Sequence, residues 1–575
     1  MTIQDAFKID GFNIVKTCPT GNYTGYAAES ITAVNHLDGK RKRAYYLEGS
    51  SYDMGFQMGM LAHGEVEKMV LEFPYTAISG FLGASLQPWE KDLIVLILYE
   101  ILIHKIDSFL KDIPGEYVDE ANGIVDGVHK ANPLALFVTF KSVWVLNVGF
   151  DVLVALTNNP LKLIDEIAKH PQAQLKKFVP SEKHFRIPHF CNAYSAYNQD
   201  KHFFGRDWMF NGGNVLANCA SLIITKPNDG RKPLVYAAAP GLVGAALAMN
   251  TDGIAMGVDM VSAANGNYDD PGFNSLLLVR DCIHRSDSAK YVVLNAINAQ
   301  RGATFIYPVS DGKNNTSCVI EAGMKVENLD PLSYVPKDML SLLPDSNTLK
   351  THAEQPVQGL FVRWQDYRQT MYFIDQYNEG LFTHFKKKMP SNVWGESGFV
   401  FNQPYNDPNA FGLYYFNPLR QNLGECNVEN KNWIFQLVTN TWLNPYMNIC
   451  SMSFFQNLLS EPFWSDMQWR YDLLNETLLS YQNNQGDTLD WDNAWKIINF
   501  LSPVIGQGEG QNYYLIPEAP WKLPTVSYKD AHGNTQSTWR VDGMTNLCEC
   551  NEKKMRSLYG TYADEFVEIT LPNYL

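Results

Sequence analysis

"RIPHFCNAYSAYNQDKHFFGRDWMF" spans Arg186–Phe210, and its reading decides the fold. Between residues 50 and 170 apolar residues recur with a helical period. After Cys191 the period changes to two, the mark of a strand. "CNAYSAY" and "HFFGRDWMF" are two such runs, and the polar "NQDK" between them is a hairpin signal. Immediately upstream, residues 171–190 are polar, hold three prolines and carry a local excess of Lys and Arg. That stretch reads as an exposed linker. A cysteine therefore opens a strand at the end of an accessible segment, as a small core residue or as a nucleophile.

Working outward, "SSYDMGFQMGMLAHGEVEKMVLEF" predicts a helix capped by Ser50, with Asp53 in its first turn. Gly55 and Gly59 lie four apart on one face, where they permit close approach of another element. "DIPGEYVDEANGIVDGVHKANP" predicts a second helical unit. Downstream, "NCASLIITKP" and "KPLVYAAAPG" read as strands, and "GAALAMNTDGIAMGVDMV" as two strands around a tight "NTDG" turn. Two helices follow in "NSLLLVRDCIHRSDSAKYVVLNAIN", then the strands "ATFIYPVSD" and "TSCVIEAG". Strands in groups, separated by helices, predict an α+β protein whose antiparallel sheets are covered by helices. Residues 1–190 are expected to be a helical N-terminal segment and 191–575 the catalytic region. Residues 325–575 carry little pattern beyond helices such as "DNAWKIINFL".

The chain has 575 residues, 45% hydrophobic and 19% charged, which is ordinary for a globular protein and unlike a disordered one. Aromatic residues at 13% point to a large aromatic core or an apolar cleft. A net charge of −15 without a basic stripe argues against nucleic-acid partners. The most apolar windows, "DLIVLILYEILIHKI" and "VWVLNVGFDVLVAL", are too short for a transmembrane span and read as buried helices. "MTIQDAFKIDGF" has no basic start and no apolar run, which favours the cytoplasm. The mature form of a secreted or lysosomal protein would look the same, and only there would N-x-[ST] sites at Asn22, Asn314, Asn315 and Asn475 matter. Nine cysteines contain no C-x-x-C pair, and Cys548 and Cys550 lack a histidine at zinc-site spacing. No metal or cofactor is expected, and the oligomeric state is not legible.

A cysteine is nucleophilic as its thiolate, which neighbouring cations favour. Cys191 has three routes to activation. A histidine base would make the site papain-like, but the local words do not match that type. Metal binding has no ligand set. The third is its own α-amino group, freed by a cut just before it. Such an amine, with a pKa near 8, is partly neutral at pH 7 and can take the thiol proton.

"FCNAYSAYNQDKHFFGRDW" resembles the N-terminal nucleophile (Ntn) hydrolases of the choloylglycine hydrolase, acid ceramidase and isopenicillin N acyltransferase type. In these a catalytic Cys opens the first strand and a "G-R-N-x-D" segment follows. "GSSYDMGFQMGMLAHGEV", "IPGEYVDEANGIVDG" and "PGLVGAALAMNTDGIAMGVD" resemble words of the acyltransferase-like branch and its phospholipase B-like relatives. Together the matches run from about residue 45 to 325. The resemblance implies a four-layer αββα sandwich of two antiparallel sheets with a helical N-terminal pro-segment. It implies autocleavage between Phe190 and Cys191, with Cys191 as nucleophile. Arg206 would sit near the thiol, and Asn250 would be the oxyanion donor. The acid expected three residues after the arginine is Met209 here, so either Asp207 takes the contact to the α-amine or that role is lost. The implied substrate is a small or lipid-like acyl compound. It would be cut at a carbon–nitrogen amide, or its acyl group transferred. An acyl ester cut by a phospholipase B-like site, and an inactive binding scaffold, are the alternatives.

Overall fold

The computed structural model describes residues 1–82, 86–157, 160–181, 191–198, 200–209, 213–267, 269–270, 272–273, 275–365, 433–440, 442–457, 474, 477–478, 480–481, 489–507, 525–530, 532–541 and 543–575. Its strands are β1 (Phe12–Thr20), β2 (Tyr23–Val34), β3 (Arg41–Gly49), β4 (Cys191–Asn198), β5 (Lys201–Met209), β6 (Ser221–Pro227), β7 (Leu234–Ala238), β8 (Leu247–Asn250) and β9 (Ile254–Gly257). They continue as β10 (Asp259–Met260), β11 (Phe305–Asp311), β12 (Thr316–Ala322), β13 (Leu360–Trp364), β14 (Trp433–Val438), β15 (Thr525–Lys529), β16 (Thr535–Trp539), β17 (Gly543–Glu549), β18 (Lys554–Leu558) and β19 (Val567–Thr570).

Most of them form two sheets. The larger runs β1-β2-β3-β6-β7-β8-β9-β11-β12-β13, with β10 also on β11. The smaller runs β14-β4-β5-β17-β18-β19. Among the described residues all the pairings are antiparallel except β3 with β6, which is parallel. A parallel pair needs a long crossover, and here the crossover is the helical stretch after residue 50 together with β4 and β5. The two sheets meet where β11 packs on β4 and β5 and where β12 packs on β14. Helices Ser51–Leu61, Ser275–Arg285 and Ala289–Asn298 lie on the larger sheet, and Trp491–Gln507 lies on β4, β5 and β17.

The helical units follow the sequence closely. Ser50 Oγ accepts from Asp53 N at 3.1 Å, and Asp53 Oδ2 accepts from Ser50 N at 3.1 Å, a reciprocal cap. Helices Ser51–Leu61 and Gly115–Ala131 then pack backbone to backbone. A Cβ on Gly55 would stand 2.0 Å from Glu120 O, and one on Gly123 would stand 2.3 Å from Tyr52 O. The "NTDG" turn joins β8 to β9, and Gly253 takes a φ of +77° there.

The segment before Cys191 is not wholly helical, which corrects the expectation for residues 1–190. β1, β2 and β3 precede its helices and join the larger sheet. β1 is an edge strand with most of its residues at least partly exposed, so it lacks the alternation that would mark it in sequence. Residues 171–176 form a short helix, and the rest of the expected linker from 182, Phe190 included, lies outside the described residues.

Candidate active site

Cys191 is the first residue of β4, and the β4–β5 register pairs it with Trp208 and pairs Ala193 with Arg206. Directly opposed residues share a face, and the face alternates with each residue. Cys191 and Arg206 therefore point the same way, toward the larger sheet. Arg206 Nη2 lies 3.7 Å from Cys191 Sγ. The same nitrogen is 2.9 Å from Asp259 Oδ1 on β10 and donates to Val258 O. Gly257 lets the arginine cross, since a Cβ there would stand 2.8 Å from Arg206 Cδ. Cys191, Arg206 and Asp259 are all buried. A buried cation holds its place when it is paired, and Asp259 pairs this one. Arg206 Nε and Nη1 have no hydrogen-bond partner among the described residues.

A further side chain reaches the nucleophile's backbone. Cys191 N donates to Asn440 Oδ1 at 3.1 Å, and Asn440 Nδ2 donates to Met260 O at 2.8 Å. Asn440 follows β14, the neighbour of β4, and it bridges the two sheets at the start of β4.

Two expected site residues, Asp207 and Asn250, take partners away from the Cys191 sulfur. Asp207 pairs with Asn192, so it lies on the opposite face from Cys191. That face meets helix Trp491–Gln507, where Tyr194 OH donates to Ala494 O at 2.6 Å. Asp207 Oδ1 accepts from Thr545 Oγ1 at 3.1 Å. A strand's period of two turns adjacent residues 206 and 207 to opposite sides, and Met209 stands on the Asp207 side. Asn250 donates its amide to Ile283 O and to Ser286 O, both at 2.8 Å. Its Oδ1 accepts from Asp252 N at 3.0 Å and Ile254 N at 3.1 Å. Both amide protons close the end of helix Ser275–Arg285, leaving none for an oxyanion.

Asp259 and Asn440 were missed by the sequence reading. Asp259 had a signal, a lone carboxylate inside the apolar run "GIAMGVDMV". Asn440 had none, because its importance comes from a contact across 249 residues of chain. Burial pushes the thiols of Cys282, Cys318, Cys450, Cys548 and Cys550 up, toward the unreactive protonated form. His202, in the same hairpin as Cys191, contacts Ser195 Oγ at 2.9 Å, and burial pulls it down to about 4. Among the described residues no group of three or more His, Cys, Asp or Glu side chains could hold a metal ion. No helix among them is long and apolar enough to cross a membrane.

No protein-family model matches the chain. An uncharacterized protein of Archaeoglobus fulgidus is 31% identical over 303 residues, which is 53% of this chain. The match spans 45% of that relative's length. Among solved structures, the chain is similar to two variants of conjugated bile acid hydrolase from Clostridium perfringens. One aligns at 11% identity over 67% of this chain and 93% of the other, with a TM-score of 0.31. The second aligns at 13% identity over 66% and 93%, also with a TM-score of 0.31.

Proposed function

We propose that this chain is a self-processing cysteine Ntn hydrolase that cuts, or transfers the acyl group from, a carbon–nitrogen amide. The observation that carries the reading is the position of Cys191. It opens a strand, with a guanidinium nitrogen 3.7 Å from its sulfur and an asparagine oxygen 3.1 Å from its backbone nitrogen. On this reading the two sheets and their flanking helices are the αββα sandwich, and residues 1–190 are the pro-segment.

In self-cleavage, Cys191 Sγ attacks the carbonyl carbon of Phe190. The C–N bond breaks, its nitrogen takes the thiol proton, and a thioester joins the two parts. Water then adds, leaving a carboxylate on Phe190 and a free thiol and amine on Cys191. In the mature enzyme that amine takes the thiol proton as the sulfur attacks a substrate amide. The proton passes to the leaving amine, and water or an acceptor amine releases the acyl group from sulfur. Asn440 Oδ1 accepts from the Cys191 nitrogen and fixes the direction of its lone pair. Arg206 favours the thiolate, and its unpartnered Nε and Nη1 are available to the oxygen that becomes negative. A preorganised donor of this kind is worth about 3 kcal/mol. Asp259 holds Arg206 in position. This set takes the roles that the resemblance gave to Asp207 and Asn250.

The test is turnover of a panel of N-acyl p-nitroanilides with rising chain length. Wild-type protein should release nitroaniline and Cys191→Ala should not. Denaturing a reaction in progress should trap an acyl group on the Cys191 peptide. Turnover that survives Cys191→Ala would sink the reading, and hydrolysis of acyl esters alone would move it to the phospholipase B-like alternative.

A further inference from the structure

Across β10, β11 and β12 the register sets Asp259 opposite Ile306, and Ile306 opposite Glu321. Opposed residues share a face, so two buried carboxylates stand on one row, two strands apart, both facing the smaller sheet. Asp259 holds Arg206. Glu321 holds something else. Its Oε1 accepts from Leu443 N at 2.8 Å and its Oε2 accepts from Asn444 N at 3.0 Å. Arg363 Nε lies 3.6 Å from Oε1, and Arg363 Nη2 donates to Leu437 O at 3.1 Å.

Those backbone atoms bracket Asn440. Leu437 is in β14, three residues before it, and Leu443 follows three residues after. The stretch is otherwise tied down by Trp442, whose Nε1 donates to Phe305 O at 3.2 Å. A carboxylate that accepts two adjacent backbone N–H groups makes two charge-assisted bonds and sets the path of the chain through them. The buried arginine balances its charge, so the anion can persist there.

We propose that Glu321 is a positioning residue for the nucleophile. It pins the stretch after β14 so that Asn440 Oδ1 meets the Cys191 nitrogen. This rests on the Ntn reading above. Glutamine at 321 keeps the size but turns an N–H₂ group toward one of the two backbone donors. The stretch then shifts, and Asn440 loses its aim. Misplacement by about an ångström near a reacting centre costs up to roughly a hundredfold in rate.

The experiment is a cell-free translation pulse–chase of the full chain, following cleavage before Cys191 on gels. The chains are wild type, Glu321→Gln, Asn440→Ala and the double variant. Glu321→Gln should slow cleavage roughly tenfold and Asn440→Ala roughly a hundredfold. If Glu321 acts through Asn440, the double variant should match Asn440→Ala to within about twofold. Leu443→Ala, which loses packing and keeps both N–H groups, should lower the thermal midpoint and multiply with Asn440→Ala. Should Glu321→Gln fail to fold, Leu443→Pro removes one of the two donors and enters the same cycle. Effects of Glu321→Gln that multiply undiminished onto Asn440→Ala, or an unchanged rate in Glu321→Gln, overturn this proposal alone. A wild-type chain that never cleaves, or a Cys191→Ala chain that does, overturns the Ntn reading and the proposal with it.

Discussion

Asn250 and Asn440 are both fully buried, and their side chains do opposite things. Asn250 spends its amide within its own neighbourhood. It closes the turn to β9 and satisfies the last carbonyls of helix Ser275–Arg285. Asn440 spans the interface, with its oxygen on β4 of one sheet and its nitrogen on β10 of the other. The first sits in a recognisable "MNTDG" word, the second in a stretch without pattern. The difference teaches that a buried asparagine in a tight turn is first of all turn structure. The polar contact at the nucleophile comes from whichever loop the topology delivers there.

The comparison breaks most visibly through Asp259, which shares the larger sheet with Asn250 yet serves the same point as Asn440. Asp259→Ala leaves Arg206 buried without its counter-ion. The expected loss is about 3–5 kcal/mol of stability, read as a fall in the urea midpoint, together with cleavage below detection. A stable, cleaving variant would remove Asp259 from the site.

Asn440→Ala and Asn250→Ala should separate chemistry from stability. Asn440→Ala is expected to slow cleavage about a hundredfold, equivalent to about 2.7 kcal/mol, at a cleavage rate normalised to folded protein. Asn250→Ala leaves two helix-end carbonyls and two turn N–H groups without partners. It should cost roughly 1–3 kcal/mol of stability and leave the normalised cleavage rate within about twofold. The reverse pattern would restore Asn250 as a participant.

The smallest effect is a slope. Helix Ser275–Arg285 ends on Asn250 and starts on Asp151, whose Oδ1 accepts from Ser275 Oγ at 2.6 Å. Burial pushes the Asp151 carboxyl up to about 7, above its ordinary 3.8. The folded state therefore binds more protons than the unfolded one between those values, and stability falls as pH rises through that window. The slope is no more than about 1.4 kcal/mol per pH unit. Asp151→Asn should flatten it while leaving the cleavage rate unchanged. Equal slopes in the two proteins would contradict the assignment.

Sequence carried the local features and lost the distant ones. The Ser50–Asp53 cap, the Gly55/Gly59 contact and the β4–β5 hairpin depend on residues within a few positions or on one repeated spacing. The same alternation that revealed the hairpin also turns Asp207 to the face opposite Arg206, because residues 206 and 207 must face opposite ways. Asn440, Asp259 and Glu321 depend on how two sheets stack, and no short window contains that. β1 escaped because an exposed edge strand needs no apolar pattern, and β3 escaped because its parallel pairing sets Arg43 opposite Ser221, far along the chain.

The central claim is that Cys191 is a nucleophile that becomes an N-terminus, and intact mass analysis of the purified full chain tests it most directly. The account predicts two fragments, residues 1–190 and 191–575, that stay together because β3 pairs with β6. The larger should start at Cys191, and Cys191→Ala should remain one chain. A single full-length chain that turns over acyl amides, or a cut at any other bond, would contradict it.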